Sequence, residues 1–110
     1  MATNAQSDLS EALDRMWARF LPQMQERVDT LDATAQAFAA APLSVEKQQE
    51  AQSAAHKLAG VLGTFGLTRG TVLARELEII YSRQHDPDPE LAARLASTAA
   101  EIRTIIATRK

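Results

Sequence analysis

The sequence predicts an all-α fold, an antiparallel four-helix bundle, from three observations. Apolar residues recur at steps of three and four along four separate stretches. Short segments bearing proline or glycine divide those stretches, and no segment alternates apolar and polar residues as a half-buried strand would. Abundant alanine and an aromatic content of only 5% favour helices that approach closely. At 110 residues the chain has room for one core, so residues 1–110 are expected to form a single domain.

The first helix follows from Leu9, Leu13, Met16, Phe20, Met24, Val28, Leu31, Ala35 and Phe38, one apolar stripe. Ser7 or Asp8 is a candidate cap for its start, with Glu11 in the capping-box position after Asp8. Pro22 lacks a backbone donor and clashes with the carbonyl of Ala18, which predicts a kink or break there. Trp17 sits beside the stripe and is assigned to the core ahead of the surface. The helix ends in AAAPLSVE, where Pro42 disfavours helical angles at Ala41 and Ser44 is placed to cap the next helix.

The second helix, about Val45 to Phe65, buries Ala51, Ala55, Leu58, Leu62 and Phe65. Gly66 stands where a left-handed residue would end it, and Thr68 is the expected cap of a third helix. That helix should bury Val72, Leu73, Leu77 and Ile80 and stop before QHDPDPE. Asp88 then caps a fourth helix with Pro89 in its first position. Its stripe is Leu91, Leu95, Thr98 or Ala99, Ile102, Ile105 and Ile106.

Composition narrows the function. A formal charge of −2 speaks against nucleic acid or an anionic membrane as the main partner. No apolar run is long enough to span a bilayer. MATNAQSD lacks the basic and apolar regions of a secretory signal, and the expected location is cytoplasmic. Without cysteine there is no disulfide, thiol chemistry or Cys-based zinc site.

All four glycines, Gly60, Gly63, Gly66 and Gly70, fall within AAHKLAGVLGTFGLTRG, just behind His56. At about 100° per residue, His56 lies roughly 200° around the second helix from its core stripe and faces solvent. Gln49, Ser53, Gly60 and Gly63 share its face. Each interior glycine costs a helix about 1 kcal/mol relative to alanine. Two explanations are open: close approach of a neighbouring helix, or clearance for a partner that must reach the imidazole. Clearance is the better account of Gly60, whereas Gly63 is balanced between the two. Gly66 and Gly70 need only a C-cap and a turn or helix-start role.

The chemistry available to His56 is limited. Gln, Ser, Lys and Gly surround it, a poor ligand set, and His85 lies in the proline-bearing loop as a solvated residue, so no metal site is expected. No nucleophile elbow and no phosphate-binding loop is present. An imidazole that itself accepts and releases a group remains.

His56-Lys57-Leu58-Ala59-Gly60, with Gly63, Phe65-Gly66 and the downstream Leu73-Ala74-Arg75-Glu76-Leu77-Glu78, resembles the histidine-containing phosphotransfer (Hpt) domain. The resemblance implies a phosphorelay intermediate in which His56 takes a phosphoryl group from a receiver-domain aspartate and passes it to another. It implies response-regulator receiver domains as partners, with a hybrid histidine kinase as a further one. It implies no cofactor held by this chain, since the receiver supplies Mg²⁺. Many such domains carry a lysine three residues after the histidine; here Ala59 stands there, and Lys57 is the candidate that stabilises phosphate. Glu78 is the candidate that orients the imidazole. Ser53, Gly60 and Gly63 form the access and docking face, with Arg69 and Arg75 as possible framing charges and Trp17 and Val61 as apolar candidates. The expected state is a monomer without a kinase domain. The alternative is a non-catalytic helical adaptor with an incidental surface histidine.

Overall fold

The computed structural model describes residues 3–109. Four helices form, α1 (Thr3–Ala40), α2 (Val45–Thr64), α3 (Thr68–Tyr81) and α4 (Pro89–Thr108), and no strand occurs among the described residues. α1 and α3 each border α2 and α4, so the helices follow one another around the bundle in chain order. Cross-helix pairs give their directions. Asp14 and Asp29 of α1 meet Arg109, just past the end of α4, and Arg103 of α4, while His56 and Ala59 of α2 meet Glu78 and Thr71 of α3. Both alignments run in opposite senses, as the predicted antiparallel bundle requires.

The predicted stripes form the core with few exceptions. Met24, Val28, Leu31, Ala35 and Phe38 of α1 are buried against Ala51, Ala55, Leu58 and Leu62 of α2 and Leu95, Ala99, Ile102 and Ile106 of α4. Leu9 and Met16 depart from the expectation and are exposed. α1 has 38 residues against 20 in α2 and in α4, so Leu9 projects beyond its partners. At the level of Met16 the inward position belongs to Trp17, which is buried as assigned and meets Phe65 edge-on at 5.1 Å. The Arg109 guanidinium lies 4.8 Å above the Trp17 ring and 5.3 Å from that of Phe65, a cation stacked over aromatic faces that fastens the end of α4. On α3 the inner face is Leu73, Ala74, Leu77 and Tyr81, and Val72 is exposed instead. Wedged between α2 and α4, α3 presents adjacent positions 73 and 74 inward, which turns position 72 outward.

Two helix-end expectations change, and those at Ser44, Gly66 and Asp88 stand. α1 begins at Thr3, so Ser7, Asp8 and Glu11 lie inside the helix rather than capping it. The helix runs unbroken through Pro22, where packing of the flanking Leu21 and Met24 offsets the lost backbone bond. Ser44 accepts from the Lys47 N–H at 3.1 Å and Asp88 from the Glu90 N–H at 2.9 Å, as expected of caps. Thr68 is not a cap: Leu67 takes that position without a side-chain bond. The reason is the turn before it. The Gly66 N–H donates to the Gly63 carbonyl at 3.0 Å and the Leu67 N–H to the Leu62 carbonyl at 2.9 Å, a Schellman turn that commits Leu67 backward to α2. Gly66 has φ +71°, the left-handed geometry this turn demands.

Gly70 has a role beyond starting a helix. It is buried, and a Cβ there would stand 3.0 Å from Leu62 Cδ1 and 3.4 Å from Ile105 Cγ2, so it lets α3 seat closely between α2 and α4.

Tyr81 is buried, and its hydroxyl has no hydrogen-bond partner among the described residues. Burial pushes its pKa up to about 12. The folded chain therefore holds the neutral phenol more firmly than the unfolded chain does. That stabilising contribution is complete below the ordinary tyrosine value near ~10 and is lost as pH rises through about 12. Tyr81→Phe should leave stability at pH 7 unchanged or raise it by up to about 1 kcal/mol. It should also flatten the fall in stability above pH ~10, read from urea unfolding across that range. A second contrast concerns glycine. A Cβ at Gly60 meets nothing within 4 Å, so Gly60→Ala should stabilise by about 1 kcal/mol. Gly66→Ala should destabilise by about 1–2 kcal/mol through its positive φ. Equal effects of the two substitutions on the urea midpoint would contradict this assignment.

Candidate functional site

Burial of Ala51, Ala55, Leu58 and Leu62 fixes the rotation of α2, and His56 consequently faces outward with 69% of its side chain exposed. Its Nδ1 lies 2.7 Å from Glu78 Oε2, on the neighbouring α3. A carboxylate only accepts, so Nδ1 carries the proton and donates. Nε2 then holds the free lone pair, and it has no hydrogen-bond partner among the described residues. Glu78 is half-buried, with 24% of its side chain exposed. Partial burial screens this bond less than it would a fully solvated pair. In the neutral form of the ring this contact fixes the tautomer and leaves Nε2 as the nucleophilic nitrogen.

The glycine question now divides. Gly60 opens onto empty space beside His56, in keeping with clearance. A Cβ on Gly63 would stand 3.4 Å from Thr71 Oγ1, so Gly63 borders α3 and serves its approach as well. Ala59 is fully buried, and its carbonyl accepts from the Thr71 hydroxyl at 3.2 Å. A cationic side chain at that position would face α3 rather than solvent.

On the α1 side of His56 a groove runs along the α1–α2 seam, with Met16, Phe20, Val61 and Phe65 as its apolar part and Lys57 and Gly60 at its edge. Ser53 lies in an adjoining groove, again with Lys57. The site residues Ser53, His56, Lys57, Gly60 and Glu78 therefore share one side of the molecule. Arg69 does not join them, because it turns to α4 and holds Glu101 through contacts of 2.9 and 3.3 Å. That carboxylate raises its pKa further above the ordinary arginine value. His85 is exposed, as expected of a loop residue, yet its Nε2 is 2.8 Å from the Ile80 carbonyl and its ring meets Phe38 edge-on. Sequence reasoning missed Arg27, which lies in both grooves beside Lys57. Its place between Gln23 and Thr30 on the flank of the α1 stripe was the available signal. Among the described residues no group of three or more His, Cys, Asp or Glu side chains could hold a metal ion. Among the same residues no helix is long and apolar enough to cross a membrane.

The family model of the Hpt domain matches residues 15–105, most of the chain, with parts of all four helices. The chain belongs to the Hpt family. Hpt domains serve histidine phosphotransfer in phosphorelays and interact with response-regulator receivers. A curated relative, Protein RcaC of Microchaete diplosiphon, is 36% identical over 76 residues, which is 69% of this chain. The chain spans only 12% of that relative's length. No solved structure gives a significant match.

The His56–Glu78 bond makes a spectroscopic prediction for this Hpt domain. Two-bond ¹H–¹⁵N spectra of the neutral ring should show the Nδ1–H tautomer at His56. Glu78→Ala should shift that population toward the Nε2–H form, with the helical circular dichroism unchanged. An Nε2–H ring in the unsubstituted protein would contradict the assigned geometry.

Proposed function

We propose that this Hpt domain is a phosphorelay intermediate that accepts a phosphoryl group on His56 Nε2 from a receiver aspartate and returns it to a second receiver aspartate. The observation that supports the reading is the exposed imidazole whose Nδ1 is tied to Glu78 beside the open face at Gly60. In the forward step the Nε2 lone pair attacks phosphorus. The phosphorus–oxygen bond to the aspartyl carboxylate breaks, and its electron pair leaves with that carboxylate. Nδ1 keeps its proton, and the positive charge that develops on the ring is met by the Glu78 carboxylate 2.7 Å away. The return step reverses these bonds.

Each part of the face has a task in this reading. Exposure of His56 allows in-line approach, and the bare backbone at Gly60 leaves room for the rim of the receiver's active site. Ser53 and Gly63 extend the cleared face, and Lys57 supplies positive charge near the arriving phosphoryl oxygens. The receiver brings the acidic pocket and its Mg²⁺, and the chain acts as a carrier without kinase activity. A hybrid histidine kinase stands upstream, a cytoplasmic setting suits these partners, and the chain works as a monomer.

Incubation with phosphorylated receiver domains and Mg²⁺ should yield an acid-labile, base-stable phosphoprotein. His56→Gln should abolish it, and Glu78→Gln should slow its formation by about tenfold or more while leaving the fold intact. If no receiver from the source organism transfers phosphate to the chain, the carrier role is wrong and an adaptor role takes its place.

A further inference from the structure

The two grooves along the α1–α2 seam have only Arg27 and Lys57 in common. Both residues therefore border the seam where the grooves meet, and His56 lines one of those grooves with them. Two cations lining one groove favour an anion there. Neither cation has a carboxylate within ion-pair distance among the described residues, although Glu46 and Glu50 line the far part of the adjoining groove. Arg27 is half-buried, as suits an arginine whose aliphatic stem covers apolar surface while its head stays solvated. The other charged group at His56 is Glu78, which approaches from α3 and occupies Nδ1. The ring thus has a carboxylate on its α3 side and cations on its α1 side.

We infer that Arg27, together with Lys57, forms a cationic clamp for the phosphoryl group carried on His56 Nε2, a role resting on the carrier reading above. Arg27 is a positioning and charge-stabilising residue supplied by α1, from outside the histidine-bearing helix. A guanidinium is suited to two phosphoryl oxygens at once, whereas the Lys57 ammonium acts as a point charge. The clamp also accounts for Ala59, whose buried position leaves no place for a cation on that side.

The test uses the whole chain and phosphoramidate as a small-molecule phosphodonor, with ³¹P NMR as the readout. The phosphohistidine signal that His56→Gln removes is titrated in the unsubstituted protein and in Arg27→Gln, Lys57→Gln, Arg27→Lys and Arg94→Gln. A nearby cation favours the dianionic phosphoryl group, so Arg27→Gln and Lys57→Gln should each raise the titration midpoint by about 0.5–1 pH unit. Arg27→Lys should keep most of the effect, and Arg94→Gln, on exposed α4 surface away from the seam, should leave the midpoint in place. A signal with an unchanged midpoint in Arg27→Gln overturns the clamp while the carrier role stands. Absence of any His56-dependent signal, from phosphoramidate and from receivers alike, overturns both.

Discussion

Leu58 and Leu62 have no exposed surface, and with Ala51 and Ala55 they set the rotation of α2 about its own axis. Burying those two leucines contributes several kcal/mol at roughly 1.5–3 kcal/mol each, far more than any surface contact at the site. That rotation sends His56 outward, Ala59 inward and Lys57 toward α1. Turning α2 by a single residue position, about 100°, would exchange core for surface along its whole length. The exposure of the imidazole is therefore secured by hydrophobic burial on the opposite face of the same helix.

The ion pairs differ in weight. Arg69 and Glu101 are 63% and 46% exposed, and such pairs contribute little to stability in water. Glu78 is the less solvated partner of His56 and is positioned by α3, whose neighbouring Leu77 and Tyr81 are in the core. Its bond with the ring contributes orientation more than stability. On the other flank, Arg27 and Lys57 line the groove that His56 also lines. The imidazole therefore has a carboxylate on its α3 side and basic residues on its α1 side.

Much of this was legible in the sequence because helical periodicity depends on local spacing. The stripes of α2 and α4 and the caps at Ser44 and Asp88 needed no tertiary information. The exposure of His56 followed from its phase against Leu58 and Leu62. What was not legible depends on where helices end relative to each other. Leu9 matches the α1 period, but nothing in the chain says that its partners stop short of it. Val72 and Ala74 exchange places because α3 is wedged between two helices, and apolar character favours valine while space favours alanine. Thr68 is a good cap by residue type, displaced by a backbone turn that begins at Leu62. Arg109 follows the apolar stripe of α4 without belonging to it, and only the folded chain sets it over Trp17 and Phe65. Arg27 reads as one more solvated charge until α2 is laid beside it.

The connections between helices are unequal as places for the chain to change. Residues 65–67 join α2 to α3 through two backbone bonds and a left-handed glycine, so they set the offset at which Glu78 passes His56. One residue added there would turn Glu78 about 100° from the ring or oblige α3 to slide, with much of the core still able to form. Residues 82–87 carry no such duty, since α4 takes its place from its own apolar face and from its cap at Asp88. Length variation and grafted segments belong in that second loop. The first is a spacer whose length is itself part of the site.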